Sequence, residues 1–562
     1  MIREGVALGI HHFQEHYALY VGFTLAFTGY FIYQYALRIK YFSPMRNYPG
    51  PEHGHWFLGQ LKAITIEGPG IAQQRWHRQY GPFIRFSGLL PGHESVSFTS
   101  YSALKTIMVD RAYEFPKPSF VRDVLGITAG YGLLTLEGVD HQAQRRFMNQ
   151  AFAFKYLHEQ FETYYKPINS LVDILTDVTK QSAEEGKDEP IEISHYLNNC
   201  LMDIICLTAF GYECDSLHND QQPLANAYHT LVNLQSAQNM TALFLILNLP
   251  FGPQLAKRAV KSQRGGKLLS YIDKKLGRYS PNTLKVALVF VKNLYIVKQI
   301  SSQLLDEKIE EARQLKKAGN FAIDASGAKV DVLSLLVRAS LDDNSPYKMN
   351  SEMMEQQVLT FLGAGHETTA SGAAWAIWEL SCRPEIQSKL RKECQELIAQ
   401  NANPGYQEIK QLKYLNCFIM EILRLRPPTP QTARQASQNS TVDGKFIPKG
   451  TTVYIASRTI NQDKEIWGPD ADEFKPERWL NLPEKYDATF SLMTFIAGPH
   501  KCIGMQMAML ELKAMLCSLV SHFEFIQAQE LPKETSAITM KPDGGVLVRL
   551  KKLDPADSIK GA

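Results

Sequence analysis

Cysteine is scarce in this chain: eight in 562 residues (Cys200, Cys206, Cys214, Cys382, Cys394, Cys417, Cys502 and Cys517), with no CxxC pair. That excludes a disulfide framework and a zinc finger and fits a reduced compartment. An excess of charge is missing too. The 60 Lys and Arg face 57 Asp and Glu, a net of +3, so no nucleic acid or other polyanion is indicated as the main partner. With 36 Gly, 28 Pro and 45% hydrophobic residues, disorder and collagen-like fibre are excluded. There is no internal repeat and no low-complexity tract. Asn239-Met240-Thr241 and Asn439-Ser440-Thr441 match the glycosylation acceptor and are usable only on a luminal side.

One long apolar run is present. Tyr17 to Leu37 is 21 residues without a formal charge, and as a helix it would reach roughly 31 Å, close to a bilayer's hydrocarbon thickness. Arg38, Lys40 and Arg46 follow it while Arg3 and Glu4 cancel before it, which orients the following chain to the cytosol. The expected organisation is a tail over 1–16, a transmembrane helix over 17–37, a proline-containing hinge over 38–55 and a body over 56–562. A signal peptide fits less well, because the run is long and has no basic leader or clear cleavage site. A buried helix is the other reading, since Thr24, Thr28 and Gln34 dilute the run.

In the body, Phe83 to Phe86 and Val96 to Phe98 read as a small hairpin around Gly88, Pro91 and Gly92. From Gly138 onward the helical period dominates, so the class is mainly α with a small β region. Met353 to Leu380 is free of proline for 28 residues, enough for a central helix about 42 Å long. Pro384 to Ala399 and Leu412 to Leu425 read as further helices, and Thr451 to Ile455 and Val546 to Val548 as late strands.

The chemistry concentrates in Phe495-Ile496-Ala497-Gly498-Pro499-His500-Lys501-Cys502-Ile503-Gly504, followed by a helix from Met505 to Val520. A helix N-terminus and Lys501 should lower the Cys502 pKa toward thiolate, and Gly498 and Gly504 should admit a flat cofactor against the backbone. Alone, such a cysteine is an ordinary small core residue. The whole pattern resembles the heme-binding FxxGxxxCxG loop of the cytochrome P-450 family of heme-thiolate monooxygenases. The resemblance implies the cytochrome P-450 fold and makes Cys502 the axial ligand of the iron of heme b. It places His500 near a heme propionate and Phe495 beside the sulfur.

Ala364-Gly365-His366-Glu367-Thr368-Thr369 lies mid-helix. It lacks the second histidine of a zincin and the third glycine of a dinucleotide fingerprint; Thr368 bonded back to the Ala364 carbonyl is its bland reading. With the loop above, it resembles the family's oxygen-binding groove, where the helix opens locally beside the iron. Glu367 and Thr368 then serve as acid and hydroxyl relay. Glu367 either donates directly or organises water. Glu421-Ile422-Leu423-Arg424 and Pro476-Glu477-Arg478-Trp479 resemble the ExxR and PERF motifs. That resemblance implies a structural network of Glu421, Arg424 and Arg478 bracing the cysteine loop, with Trp479 in place of phenylalanine. Arg145 and Arg434 match the propionate-binding arginines, and His141 stands where the family often has tryptophan.

The resemblance spans about Trp56 to Leu550 and is to the microsomal, filamentous-fungal type. It implies a monooxygenase on the endoplasmic-reticulum membrane, catalytic domain in the cytosol. Electrons would come from NADPH through a separate diflavin reductase, because nothing in this chain resembles an FMN or FAD domain. The expected substrate is a lipophilic small molecule of secondary-metabolite biosynthesis, lined by Phe115 to Leu134, by Phe361 and Ala364, and by Thr429 to Thr432. Xenobiotic or fatty-acid oxidation stays open, as do a heme-thiolate isomerase or dehydratase acting on a peroxide and a membrane-bound heme carrier or sensor. Ala242 to Phe251 is either a core helix or a membrane-dipping loop.

Overall fold

The apolar periodicity beyond Gly138 folds into the long helices it implies. The computed structural model describes residues 16–234 and 282–553, apart from breaks at 53, 56–58, 88–92, 187–188, 220, 320–329, 346 and 537–538, together with 271 and 274–275. The 242–251 run, the first glycosylation tripeptide and the tip of the early hairpin lie outside the described residues.

The central helix runs Ser351–Cys382, longer at both ends than its sequence suggests. Asn350 caps it by accepting from the Met353 N–H at 2.8 Å, and Pro384 opens the next helix, Pro384–Ile398. From Thr369 to Ser381 every residue is buried, so the helix is the axis about which others pack. Ile193–Phe210 lies close along it. A Cβ on Gly365 would come within 2.8 Å of Ile205 Cδ1, and one on Gly363 within 2.9 Å of Ala129 Cβ. These glycines set the approach of neighbouring elements to the wall of the site.

The β region is small. The hairpin Phe83–Ser87 and Glu94–Phe98 joins Thr452–Ile455 in parallel, and that strand pairs antiparallel with Thr432–Gln435. This register sets Arg434 opposite Val453. A second sheet joins Ile191–Glu192, Leu547–Lys552 and Phe523–Gln527. A two-stranded ladder, Glu534–Ser536 with Met540–Pro542, lies against the central helix, where Ser371 Oγ donates to the Met540 carbonyl.

The amino-terminal expectation is corrected. The apolar run is α-helical over Tyr17–Ile32, 16 residues, and continues as a π-helix over Tyr33–Phe42. Among the described residues, no helix is long and apolar enough to cross a membrane. Sixteen residues span about 24 Å, short of the roughly 30 Å of hydrocarbon. The chain that follows is docked on the first sheet: Ser43 Oγ donates to Glu94 at 2.8 Å, and Arg85 takes the Ile39 carbonyl at 2.9 Å and gives its N–H to Pro49 at 2.7 Å.

Glu421, Arg424 and Arg478 meet in the interior, the first two wholly buried. Arg424 clasps the Glu421 carboxylate in a fork, Nε and Nη2 each at 2.8 Å, and Arg478 Nε reaches it at 2.8 Å. The Lys475 N–H and the Trp479 indole N–H complete its shell, both at 2.9 Å. Trp479 thus supplies a hydrogen bond that phenylalanine cannot, which its aromatic character alone does not reveal. Glu421→Ala should cost about 3–5 kcal/mol in denaturant unfolding of the holoprotein, because it leaves Arg424 buried without a carboxylate and Arg478 with Asp470 alone. Trp479→Phe should cost about 2 kcal/mol, one hydrogen bond to a charged acceptor.

Candidate active site

The cysteine loop and the middle of the central helix form opposite walls of one interior cavity of about 360 Å³. Phe495, Cys502 and Gly504 line one side, Phe361, Ala364, Glu367 and Thr368 the other, and Thr429 and Thr432 close an edge. The residues expected at the site are therefore brought together from segments far apart in sequence. Phe115 is an exception. It is fully buried in a separate apolar core with Val96, Val453 and Met493, and Leu125 to Leu134 supply the cavity wall on that side.

Cys502 is held by a strained loop. Ile496 adopts φ +48°, a left-handed conformation costly for a β-branched residue, and the Cys502 N–H closes the turn on the Phe495 carbonyl at 3.0 Å. Gly498 has φ +71°, and a Cβ there would lie 1.8 Å from the Met108 carbonyl oxygen. Its role is this backbone crossing, not access for a flat cofactor. At Gly504 the space stays open, since a Cβ there would meet nothing within 4 Å. All eight cysteines are free; Cys502 alone has an exposed side chain, and it lines the cavity. Burial raises its thiol pKa, although the Gly504 and Met505 N–H groups, Arg145 and Lys501 pull it down. The expected lowering by helix end and lysine is present but outweighed by desolvation, and a bound cation would favour the thiolate.

Cationic and imidazole groups gather at the rim. Arg434 is almost wholly buried, donates from Nη1 to the Ala433 carbonyl at 2.9 Å and to Thr432 Oγ1 at 3.1 Å, and leaves Nη2 without a partner. Burial lowers its pKa to about 10, with Glu137 opposing. Arg145 Nη1 donates to the Lys501 carbonyl at 2.5 Å. His141 and His500 stack at 4.2 Å; His141 bonds the Tyr113 hydroxyl at 3.0 Å and is lowered to about 3 by burial and by His500 and Lys117. It is neutral at physiological pH.

Two rim residues escape sequence reading. Lys117 is buried and lowered to about 8 by desolvation and the nearby Arg434, with Glu137 pulling upward. Glu137 bonds the Lys117 ammonium at 3.2 Å, its N–H at 2.9 Å and His500 Nε2 at 3.1 Å. Burial raises the Glu137 pKa, yet His500 and Lys117 hold it down at about 2. A lone lysine in the apolar stretch Phe115-Pro116-Lys117-Pro118 is the one sequence signal for this pair.

On the opposite wall, Thr368 Oγ1 donates to the Ala364 carbonyl at 2.9 Å and Thr369 Oγ1 to Gly365 at 3.2 Å. The helix is α-helical throughout Ser351–Cys382, which corrects the expected local opening: the threonines bond back without interrupting the ladder. Glu367 is enclosed, with Oε1 unpartnered. Burial raises its pKa to about 7, opposed by Lys541 and by a hydrogen bond from Thr539.

Residues 49–549 match the family model for Cytochrome P450. The chain belongs to that family. It is 29% identical to Cytochrome P450 monooxygenase 205 of Postia placenta, covering 88% of this chain and 89% of the relative. It is 28% identical to Cytochrome P450 monooxygenase sphH of Aspergillus fumigatus, covering 98% and 97%, and 30% identical to Cytochrome P450 monooxygenase 128 of Postia placenta, covering 89% and 90%.

The donor set of this P450 fits heme. One cysteine opens on a cavity, a glycine beside it leaves open space, and a buried guanidinium has an unpartnered Nη2. Cys502 would hold the iron, and Arg434, Arg145, Lys117 and His500 would surround the propionates. Bound heme supplies the iron at which dioxygen is activated for transfer of one oxygen atom. The network reaches the loop through a residue that no motif names. Arg424 Nη1 donates to the Asn461 carbonyl at 3.1 Å, and the Asn461 side chain accepts from the Met493 N–H at 2.7 Å and donates to Thr494 at 2.9 Å. Cys502→Ser should abolish the thiolate-type band of the ferrous carbon monoxide complex while leaving the fold intact by circular dichroism. Arg434→Met should lower the heme-to-protein ratio after gel filtration at least about fivefold, the loss of one charge-assisted contact.

Proposed function

We propose that this P450 monooxygenase oxidises a lipophilic small molecule of secondary-metabolite biosynthesis, with NADPH electrons delivered by a separate diflavin reductase. The observation that carries the substrate class is the wall above Glu367 and Thr368, where Leu125, Leu133, Phe152, Ile205, Leu294 and Phe361 enclose the cavity with apolar surface. Relatives named as P450 monooxygenases come from Aspergillus, Alternaria and Gibberella, which supports a fungal pathway. The protein acts at the endoplasmic-reticulum membrane with its catalytic body in the cytosol. Supporting this are the exposed Leu19, Phe23, Leu25, Phe27 and Tyr30 of the Tyr17–Ile32 helix, apolar surface that a lipid phase would cover.

Within the site, Thr368 offers its lone pairs to the cavity because its proton is committed to Ala364, and Glu367 holds a proton beside it. Comparing small-molecule extracts with and without the gene, under labelled dioxygen, tests the reading. Deletion should accumulate a lipophilic compound lacking one oxygen that the parent strain takes from dioxygen. A compound of the same composition as the missing product would instead mean an isomerase and would withdraw the roles of Glu367 and Thr368.

The acid also sets a pH dependence. With its pKa near 7, Glu367 is protonated below that value and loses its proton as pH rises through it. NADPH-driven turnover by the reconstituted enzyme should therefore fall above about pH 7. Glu367→Gln should flatten that limb and lower kcat by about 100-fold.

A further inference from the structure

The wall opposite Cys502 carries threonine hydroxyls whose protons are already spent on the backbone. Thr128 Oγ1 donates to the Val124 carbonyl at 3.0 Å and Thr360 Oγ1 to the Ala129 carbonyl at 2.8 Å, as Thr368 and Thr369 donate to the preceding turn of the central helix. Tyr228 differs. It lines the same cavity, is only 4% exposed, and its hydroxyl has no hydrogen-bond partner among the described residues. Buried hydroxyls in folded proteins are rarely left in that condition.

The position of the ring is set by its neighbours. Tyr228 sits on the helix Pro223–Asn233, whose start Gln222 caps by accepting from the Leu224 and Ala225 N–H groups at 2.7 and 3.1 Å. Leu224 and Leu231, one turn to either side, are buried with it. The ring meets His366 edge-on, with centroids 5.3 Å apart and planes at 76°. His366 donates from Nδ1 to the Leu362 carbonyl at 2.8 Å, which leaves its Nε2 an acceptor. The two polar tips nevertheless do not pair, since Nε2 and the tyrosine hydroxyl are both unpartnered. The hydroxyl lies instead at Gly363 on the cavity wall, 3.9 Å from where a Cβ would stand, so no side chain from that position covers it. Glu367 follows one turn along the same helix face.

The surroundings decide what kind of group can meet this donor. Among the described residues lining the cavity the cations are Lys117, Arg145, Arg434 and Lys501, gathered at the Cys502 rim. The wall that carries Tyr228 brings apolar side chains, among them Ala129, Ile205, Leu231 and Leu294. An anion held there would be desolvated without a counter-charge, whereas an uncharged acceptor exchanges one hydrogen bond to water for one to the protein. Burial raises the tyrosine pKa, so the hydroxyl keeps its proton and donates.

We propose that Tyr228 is the substrate-anchoring residue of this cavity: its hydroxyl donates to an uncharged oxygen, a carbonyl, ether or alcohol, of a lipophilic substrate that carries that oxygen before the enzyme acts. The inference rests on the monooxygenase reading and narrows its substrate class. A buried donor of this kind discriminates against a hydrocarbon of the same shape, because binding that molecule leaves the hydroxyl unpaired.

The test titrates the heme-loaded parent and Tyr228→Phe with hexanophenone, hexylbenzene and 6-phenylhexanoate, which share one carbon count, and follows the low-spin to high-spin shift of the ferric heme band. Phenylalanine keeps the ring and its contact with His366, so heme content should match the parent. The Kd for hexanophenone should rise about fivefold in Tyr228→Phe, the loss of one neutral hydrogen bond. That for hexylbenzene should stay within about 1.5-fold or fall, and 6-phenylhexanoate should bind the parent at least about tenfold more weakly than hexanophenone. Equal changes for hexanophenone and hexylbenzene, the pattern of a hydroxyl that only packs or holds water, would overturn the inference, as would a carboxylate bound as tightly as the ketone. The compound that accumulates on gene deletion gives a second readout: it should carry an uncharged acceptor oxygen, and a pure hydrocarbon there would sink the anchor while leaving the monooxygenase reading intact. A parent heme shifted by none of the probes would strike the lipophilic-substrate reading itself, and the anchor with it.

Discussion

The Glu421 carboxylate has no solvent contact, and the position of the cysteine loop depends on how that charge is satisfied. Desolvating a carboxylate costs several kcal/mol, offset only when every lone pair finds a well-placed donor. Arg424, Arg478, Trp479 and the Lys475 N–H supply those donors, and each comes from a chain segment thereby held in place. From Arg424 the constraint passes to Asn461, from Asn461 to Met493 and Thr494, and so to the start of the loop that presents Cys502. An ion pair that on a helix surface would be worth a few tenths of a kcal/mol thus becomes, when buried, the reference point for the loop that carries Cys502.

Desolvation also gives the cavity its chemistry. It raises the Cys502 thiol and the Glu367 carboxyl and lowers Arg434 and Lys117, displacing all four toward their neutral forms. For the thiol and the guanidinium the nearby charges do not outweigh burial, and the iron and propionates of heme would be the charges that complete them. Glu367 stands on the other side with a proton affinity near neutrality, suited to gaining and losing a proton within one cycle. The same apolar side chains that desolvate these groups line the cavity opposite Cys502.

Much of this was legible in the chain. The central helix, the helix after Cys502, the early hairpin and the late strands lie within a few residues of where apolar period and proline placed them, because local pattern governs local structure. The motif residues also converge, with Cys502 facing Glu367 and Thr368 across one space. The amino-terminal run departs from expectation. Composition described 21 uncharged residues, while backbone geometry changes from α to π after Ile32. Hydropathy counts residues and is blind to that change. The uninterrupted central helix departs as well, since hydroxyls bonded to the preceding turn satisfy the backbone without opening it.

Residue identities with their spacing determined the mainly helical class, because apolar period rests on contacts within a few residues, and the resemblance of whole motifs to a known family pointed to Cys502, Glu367 and the bracing arginines. Tertiary structure alone decided the remainder. It brought Lys117 and Glu137 to the rim and put Asn461 between the arginine network and the loop. It also set the sign of the Cys502 shift, since the local helix end and lysine pull downward and only the depth of burial tells that they lose. Burial and long-range juxtaposition are properties of the packed chain, and no short window of sequence contains them.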